Sequence, residues 1–332
     1  QYAARQLSLA IKQLGQPCVV IGTRPQVPIE GMEACLGQSI HWVEPSAPLS
    51  WADLGLAVPK FFFQAGWSCP SFNALGEEVR RSGGKVCLLM DNQWRGNSRQ
   101  YLGGMWFRLW RQRQFAAVLV PGQSGQHLAQ WYGFSAKKIF TGLYGADPQL
   151  FYSDQPLSQR PKRILYVGQY IERKGCIPLA KAFATLATEF PDWELWMFGS
   201  GPLQSQLPVH PQIKVHGFVQ PEQLGGLYRQ ARIFALPSYQ EAWGLVVHEA
   251  ALSGCQLLLS TEIGAGLDFA NVANAARFTP GVLSEMAQAM RQLMQMPEGA
   301  LMQAQAASVE SGRGFGPQVF ATTVAKIVQQ LQ

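Results

Sequence analysis

Residues 233–250 read IFALPSYQEAWGLVVHEA, and this stretch decides how the rest of the chain is interpreted. It begins with a short apolar run that predicts a buried parallel strand, and it ends in an apolar pattern of helical period. The order is therefore strand, polar loop and helix, with Glu241 in the loop and Glu249 in the helix. The N–H groups of residues 243–245 fall where the helix begins, so they favour an anion such as a phosphate.

Glu241 and Glu249, with seven residues between them, resemble the E-x7-E signature of retaining, nucleotide-sugar-dependent glycosyltransferases of the GT-B fold, called group 1 or family 4. In that family the first glutamate lies against the transferred sugar, the amides after it hold the sugar or distal phosphate, and the second glutamate binds the nucleotide ribose. The flanking segments 236–238 and 250–254 also match. The alternative is that Glu241 is a helix cap and Glu249 a solvated helix residue.

Further segments of the second half resemble the same family. A predicted strand at 164–168 is followed by a loop ending in Lys174-Gly175 and a predicted helix at 178–190. The family places an arginine and a lysine in this loop to neutralise the donor diphosphate. Lys174 keeps its place, but Gln169 replaces the arginine, which leaves the site dependent on Lys174, the helix N-terminus and Arg173. The resemblance assigns donor binding to Gly168, Gln169, Arg173, Lys174, Gly199, Ser200, Phe218, Val219, Trp243, Gly244, Leu245 and Glu249.

Predicted strands and helices alternate along the chain, which is typical of α/β proteins with doubly wound parallel sheets. The resemblance implies a GT-B architecture, two Rossmann-like domains facing an interdomain cleft. We predict an acceptor-binding domain at 1–152, a linker at 153–162, a nucleotide-sugar domain at 163–312, and a terminal helix at 313–332 that packs back on the first domain. The family's usual first strand and glycine-rich turn are absent, which indicates either a fragment or processed form, or a departure from the pattern.

The composition predicts a globular protein in a reducing compartment. Apolar residues make up 47% of the 332 residues and charged residues only 14%. The six cysteines are scattered and never form C-x-x-C, so neither a zinc ribbon nor a disulfide framework is indicated. The sequence has no apolar run of membrane-spanning length and no signal peptide. We therefore expect a cytoplasmic protein.

The net charge of +6 is unevenly distributed. Residues 1–152 carry 14 basic and 8 acidic side chains, and between Arg80 and Arg113 eight basic side chains face only Asp91. Such asymmetry points to an anionic partner for the first domain. A nucleic acid is not the expected partner, because no nucleic-acid-binding module is recognisable.

Aromatic and apolar side chains form one helical stripe within residues 102–115, at Met105, Trp106, Leu109 and Trp110, with arginines beside it. Core packing is the commoner role of such a stripe, and we favour it. The alternative is contact with an anionic bilayer, which would place the protein peripherally at the inner face of the membrane, near a lipid-linked sugar acceptor. The residues assigned to the acceptor or membrane side are Trp67, Arg95, Arg99, Trp106, Arg108, Trp110 and Arg111.

The predicted function is transfer of a sugar from a nucleoside diphosphate sugar to an acceptor hydroxyl in glycan, polysaccharide or glycolipid synthesis. Glu241 is the first catalytic candidate. Asp91 is the candidate base on the acceptor side, although a turn residue at a strand end is an equally good interpretation. The sequence contains neither Asp-x-Asp nor G-x-G-x-x-G, so we expect no metal and no cofactor. The alternatives are a sugar phosphorylase, a nucleotide-sugar epimerase, or a non-catalytic nucleotide-sugar-binding protein.

Overall fold

The computed structural model describes residues 2–24, 31–94, 96 and 98–332, and the chain divides into two units. The first unit comprises Gln1–Gly145 and Phe315–Gln332, and the second comprises Ala146–Gly314. Each unit contains a parallel sheet with α-helices between most successive strands. The predicted α/β fold class is therefore confirmed.

The first unit contains a pair of parallel strands and a separate four-stranded parallel sheet. Its strands are β1 Val20–Gly22, β2 Ile40–Trp42, β3 Phe61–Ala65, β4 Lys85–Leu89, β5 Ala117–Val120 and β6 Ile139–Thr141. Its helices before the crossing to the second unit are α1 Tyr2–Leu14, α2 Met32–Leu36, α3 Pro70–Arg81, α4 Ser98–Trp106 and α5 Gln123–Trp131. β1 pairs with β2, and the larger sheet has the order β3-β4-β5-β6.

Alternate residues of the central strands supply two cores, one on each face of the larger sheet. Val86 and Leu88 of β4 belong to one core, whereas Cys87 between them belongs to the other. This follows from the two-residue period of a strand, which points successive side chains to opposite faces. Because both faces are covered, the strands read as continuous apolar runs.

The second unit is built on a six-stranded parallel sheet. Its strands are β7 Arg163–Val167, β8 Glu194–Phe198, β9 Ile213–His216, β10 Ile233–Leu236, β11 Gln256–Ser260 and β12 Ala275–Phe278. Its helices are α6 Cys176–Leu186, α7 Pro221–Arg229, α8 Leu245–Leu252, α9 Gly266–Phe269, α10 Leu283–Met294 and α11 Glu298–Arg313. The strand order is β12-β11-β10-β7-β8-β9.

The strand order reverses direction at β7, which lies between β8 and β10. The loops that leave β7 and β10 therefore emerge side by side at the carboxyl edge of the sheet. Such a switch point is where open α/β sheets bind ligands. It brings residues 168–175 next to residues 237–244, although nearly 70 positions separate them in the chain.

The last helix, α12 Pro317–Leu331, belongs to the first unit. Phe320, Val324 and Ile327 on one face of α12 are buried in the same core as Ala10 of α1. Their spacing of three and four residues is that of one helical stripe, so the burial of an amphipathic helix explains why the chain returns to this unit.

The stripe at residues 105–110 is exposed, so the core-packing interpretation is wrong. Gly104 faces inward instead, and a Cβ atom there would lie 1.8 Å from the Trp131 ring. Phe107 is buried beside it. A glycine and one phenylalanine therefore set the inward face of this helix, and the larger apolar residues point away from it. Among the described residues, no helix is long and apolar enough to cross a bilayer.

The predicted linker, 153–162, lies inside the second unit, which begins at Ala146. Arg160 is the reason, because its buried guanidinium donates to the carbonyl oxygens of Ala231 at 3.2 Å and Ser253 at 2.7 Å. A polar, proline-bearing composition is also typical of a linker, so the sequence pattern did not distinguish a linker from a segment that packs into the second unit.

Candidate active site

Two loops meet at the switch point of the second sheet. The Tyr239 N–H group donates a 2.8 Å hydrogen bond to the Arg173 carbonyl oxygen, which joins the loop after β10 to the loop after β7. Gly175 permits this approach. Its φ angle is +65°, and a Cβ atom there would lie 2.4 Å from the Pro237 carbonyl oxygen. Only glycine satisfies both conditions without displacing one of the loops.

Three charged side chains converge where these loops touch. The Lys174 ammonium group contacts the Glu241 carboxylate directly, and Arg173 Nη1 lies 3.5 Å from the same carboxylate oxygen. Arg173 Nη1 also donates a 2.7 Å hydrogen bond to the Gln240 carbonyl oxygen. Lys174 and Glu241 are 14% and 15% exposed, so both are largely shielded yet accessible from solvent. The prediction that Lys174 and Glu241 share one site is consistent with this contact.

A third loop, residues 261–265 after β11, forms backbone hydrogen bonds with the Glu241 segment. Glu241 forms an isolated parallel bridge with Ile263, and the Gly264 N–H group donates to the Glu241 carbonyl oxygen at 3.0 Å. The Ala265 N–H group donates to the Trp243 carbonyl oxygen at 2.9 Å. Glu241 thus lies on a loop that is hydrogen-bonded on both sides, which holds its side chain in position.

Gly244 immediately precedes helix α8 as its N-cap and has a left-handed conformation, with a φ angle of +94°. A Cβ atom there would lie 3.2 Å from Glu241 Cγ, so the glycine lets the carboxylate approach the helix start. Val247 of the first turn donates its N–H group to the Gly244 carbonyl oxygen at 2.9 Å, whereas the N–H groups before it precede any intrahelical acceptor and carry the positive end of the helix dipole. The helix start and the Lys174–Glu241 pair therefore adjoin each other.

Glu249 is buried in α8, with 2% of its surface exposed. The Tyr228 hydroxyl group of α7 donates a 2.8 Å hydrogen bond to a Glu249 carboxylate oxygen. The solvated-residue interpretation is therefore wrong. The ribose role implied by the resemblance stays a prediction.

His248, the neighbour of Glu249, fixes α8 to both ends of the second unit. Its Nδ1 atom accepts a 2.9 Å hydrogen bond from the Ala146 N–H group, and its Nε2 atom lies 2.8 Å from the Gly312 carbonyl oxygen. Because Nδ1 is an acceptor, Nε2 carries the proton and donates it, so the ring is neutral. Burial lowers the pKa of His248 to about 4.

The remaining predicted donor residues lie on the loops at the carboxyl ends of β7, β8 and β9. The Tyr166 hydroxyl group donates to the Gln169 carbonyl oxygen at 2.8 Å, and the Tyr170 N–H group donates to the Ser200 carbonyl oxygen at 2.9 Å. Gly168 hydrogen-bonds to Phe198 across β7 and β8. The Phe218 side chain is exposed at the same sheet edge. Their roles in binding stay predictions.

An open pocket of about 810 Å³ adjoins these loops. Its lining includes Arg173, Ile177, Leu203 and Tyr239. Arg173 lines both this pocket and the charged cluster, whereas Lys174 and Glu241 do not line the pocket, so the pocket lies beside the cluster.

The predicted site residues of the first unit lie in different environments. Asp91 follows β4 on the surface, and burial together with the nearby Asp91 carboxylate raises the pKa of Tyr144. Trp67 packs in an aromatic cluster, with its ring centroid 4.6 Å from that of Phe107. Trp67 is partly buried and packs against the core, and its assignment to the acceptor or membrane side stays a prediction. Arg95 and the Arg99 side chain lie outside the described part of the chain.

Sequence reasoning missed several residues of the site: Tyr228, Ser238, Gln240 and Gly264. The Ser238 hydroxyl group lies 3.4 Å from a Glu241 carboxylate oxygen. Helix α7, which carries Tyr228, went unpredicted although Pro221 at its first turn is a recognised start signal. The role of Gly264 could have been predicted from the glycines in the loop that follows β11, because glycines often occur where two backbone segments lie close together.

Comparison with known proteins finds a family match in the second unit. Residues 161–296 match the sequence model of the family described as "Glycosyl transferases group 1". The glycogen synthase of Mycobacterium tuberculosis is 29% identical over 174 residues, which cover 50% of this chain and 42% of that protein. The D-inositol 3-phosphate glycosyltransferase of Corynebacterium kroppenstedtii is 34% identical over 115 residues, 30% of this chain and 26% of that protein. The matched part thus spans less than half of these relatives.

Solved structures match over nearly the whole chain. A glycosyltransferase from Rickettsia africae gives a TM-score of 0.76 at 14% identity, covering 99% of this chain and 94% of its own. HepE of Anabaena gives 0.72 at 16% identity, covering 98% and 96%. The fold is therefore that of the GT-B glycosyltransferases. The sequence match to the group 1 glycosyltransferases lies in the second unit, at residues 161–296.

Proposed function

We propose that the protein transfers a sugar from a nucleoside diphosphate sugar to a hydroxyl group of a sugar or lipid-linked sugar acceptor, with retention at the anomeric carbon. The observation that carries this proposal is the convergence of Lys174, Arg173 and Glu241 beside the start of α8. Two cations against one carboxylate leave a net charge of +1, which favours a diphosphate. The N–H groups of the first turn of α8 add to this preference.

The relatives support the same donor class. The HepE structure is described as a complex with UDP and glucose. Several sequence relatives are named as sugar transferases, among them the glycogen synthase and the inositol phosphate enzyme.

In the proposed reaction, the bond between the anomeric carbon and the diphosphate oxygen breaks, and a bond to the acceptor oxygen forms on the same face. The electron pair of the broken bond leaves with the nucleoside diphosphate, whose charge Lys174 and Arg173 neutralise. The acceptor proton passes to the departing phosphate oxygen. Glu241 stabilises the positive charge that develops on the sugar ring.

The first experiment is a thermal-shift assay with UDP, GDP and ADP and their common sugar conjugates. We expect one series to raise the melting midpoint of the wild-type protein, because a ligand that binds only the folded state stabilises it. Lys174→Gln should abolish most of that shift, since it removes the cation that the site places against the diphosphate. A panel without any stabilising nucleotide contradicts the proposal.

The second experiment replaces Glu241 by Gln and measures sugar transfer with the donor so identified. We expect kcat to fall by roughly 10²–10³-fold with little change in donor affinity, because the lost charge acts mainly in the transition state. Glu172→Gln is the matched control, as Glu172 is an exposed carboxylate on the same loop as Lys174. Equal rates for Glu241→Gln and the wild type would show that Glu241 does not stabilise the transition state. Product NMR tests retention, and an inverted anomer refutes it.

We also propose that transfer needs no metal, because Lys174 and Arg173 supply positive charge to the leaving group. Activity should survive excess EDTA with less than about a twofold change. A strict requirement for Mg²⁺ or Mn²⁺ would contradict this part of the proposal alone.

Asp91 remains our acceptor-side proposal: its carboxylate would accept a hydrogen bond from the acceptor hydroxyl group and orient it, while the proton itself passes to the departing phosphate oxygen. Asp91→Asn should then lower kcat by about 10²-fold or more. An unchanged kcat would leave Asp91 as a turn residue.

The replacement of the family arginine by Gln169 favours one alternative, a protein that binds nucleotide sugars without turning them over. Slow hydrolysis of the bound donor would argue against it. Free phosphate acting as co-substrate would instead indicate a phosphorylase, and isomerised donor without acceptor an epimerase.

A further inference from the structure

The surface of the first unit carries an exposed apolar stripe on residues 98–111, which comprise α4 and the π-helical turn Phe107–Arg111 that continues it. Its members are between 51% and 69% exposed and fall at positions i, i+1, i+4, i+5, i+8 and i+9: Tyr101, Leu102, Met105, Trp106, Leu109 and Trp110. This spacing places all six on one face of the helix. A contiguous exposed face of this kind marks an interaction site.

The opposite face fixes the rotation of this helix. Phe107 is buried, with its ring centroid 5.0 Å from that of Tyr132. Arg108 Nη1 donates a 3.2 Å hydrogen bond to the Trp131 carbonyl oxygen. Gly104 has no room for a side chain, because a Cβ atom would overlap the Trp131 ring. The helix therefore cannot turn its apolar stripe inward without losing these contacts.

Arginines border the stripe. The Arg111 guanidinium lies 5.7 Å from the centroid of the Trp106 ring, and Arg113 is exposed just beyond it. These residues belong to the segment 80–113, in which eight basic side chains stand against one acidic side chain. Glu77, just before this segment, is already paired with Arg80 and Arg81.

We propose that the face formed by residues 98–111 binds the surface of an anionic lipid bilayer, with the tryptophans and leucines in the headgroup–acyl boundary and the arginines at the phosphates. Tryptophan and tyrosine favour this boundary because each has an apolar body and a polar tip. The basic surroundings supply attraction to anionic lipid. This surface interaction is additional to sugar transfer and does not depend on it.

The charge also argues against a second copy of the chain as the occupant. A symmetric dimer through this face would bring two arginine-rich borders together, and like charges at an interface are unfavourable. An anionic bilayer instead complements both the apolar stripe and the arginines.

The test measures co-sedimentation of the full chain with vesicles of phosphatidylcholine alone or with 30 mol% phosphatidylglycerol added. We expect binding to the anionic vesicles to exceed binding to the neutral ones by about 10-fold at low salt and to weaken as salt rises. Bromolipids should quench tryptophan fluorescence in the bound state.

The quadruple variant Leu102→Gln, Trp106→Gln, Leu109→Gln, Trp110→Gln should lose about 10-fold or more of this binding. The matched control changes Val209, Val272 and Met302 to Gln, since these are exposed apolar residues of the second unit, and should bind like the wild type. Arg113→Gln should weaken anionic binding about fivefold, whereas Lys181→Gln should not. A urea midpoint close to the wild-type value establishes that each variant is folded.

Three outcomes would overturn the inference. The wild type could fail to bind anionic vesicles, or the folded quadruple variant could bind as well as the wild type. The wild type could also be a dimer that the quadruple variant converts to a monomer while vesicle binding is weak in both. Sugar transfer to a water-soluble acceptor, assayed without vesicles, tests the proposed function separately.

Discussion

At the scale of single residues, the site depends on glycines as much as on charges. Lys174 reaches Glu241 because Gly175 has no Cβ atom, which lets its loop approach the backbone of Pro237, the residue after β10. Gly244 does the same between Glu241 and the start of α8. The positive φ angles at both positions are conformations that other residues adopt only under strain.

Gly175→Ala should lower the free energy of unfolding by roughly 1–3 kcal/mol, because the positive φ angle and the overlap with the Pro237 carbonyl oxygen both penalise a Cβ atom. It should also weaken nucleotide binding, since the loop that carries Lys174 must shift. Urea titration and the thermal-shift assay measure the two effects. Gly226→Ala is the control, because a Cβ atom there meets nothing within 4 Å, and alanine should be neutral or stabilising in α7. Equal unfolding free energies and nucleotide affinities for the two variants would show that the contact between position 175 and the Pro237 carbonyl oxygen tolerates a Cβ atom.

At the scale of elements, α8 is held by neighbours that come from distant parts of the chain. Tyr228 of α7 binds Glu249, and His248 binds the backbone at Ala146 and Gly312. The helix is only eight residues long, so these tertiary contacts rather than its intrinsic propensity stabilise it.

The pKa of His248 predicts a pH dependence of stability. Its pKa falls from 6.5 in the unfolded chain to about 4 in the folded protein, so the unfolded state binds the proton more readily at intermediate pH. The contribution of neutral His248 to the free energy of unfolding is therefore fully present above pH 6.5 and is lost as the pH falls toward 4. The total loss is roughly 3 kcal/mol at about 1.4 kcal/mol per pKa unit.

The urea midpoint measured between pH 7 and pH 4 checks this prediction. His248→Gln, which lacks the titrating group, should be less stable at pH 7 and should show a shallower fall with decreasing pH. His127→Gln is the control, because His127 is exposed, and it should follow the wild-type curve. Parallel curves for the wild type and His248→Gln would mean that other groups cause the acid sensitivity.

Element order and most element positions were predictable, because hydrophobic periodicity is a property of contiguous residues. The strand predicted at 164–168 is observed at Arg163–Val167, the helix predicted at 178–190 at Cys176–Leu186, and the terminal helix predicted at 313–332 at Pro317–Leu331. Helix α7 was missed, since its apolar pattern is short. The burial of Arg160 within the predicted linker was not foreseen, because a buried arginine is recognisable only from its partners.

At the scale of the whole molecule, the chain builds its first unit from both of its ends. Phe320, Ala321, Val324 and Ile327 of α12 complete a core that also contains Ala10, Leu119 and Leu143. The Gln6 side chain adds a buried hydrogen bond to the Leu143 carbonyl oxygen at 3.0 Å. The first unit is therefore incomplete without the last helix.

Ile327→Ala should lower the free energy of unfolding of the first unit by about 2–5 kcal/mol, because it leaves a cavity at a fully buried position. Hydrogen exchange should then show faster exchange in α1 and β5, with the second unit unchanged. Gln329→Ala, at an exposed position of the same helix, should leave exchange unaltered. Uniform acceleration across both units would contradict this assignment of α12.

The sequence by itself determined the α/β class and supplied the E-x7-E pair and Lys174 as candidate site residues, because these depend on local periodicity and short motifs. Only the tertiary structure decided that Glu249 is buried against Tyr228 and that the apolar stripe of residues 98–111 points outward. Those outcomes depend on contacts between distant segments, such as Gly104 against Trp131. A sequence pattern states which residues can share a face of a helix, but the space left by its neighbours decides which face is buried.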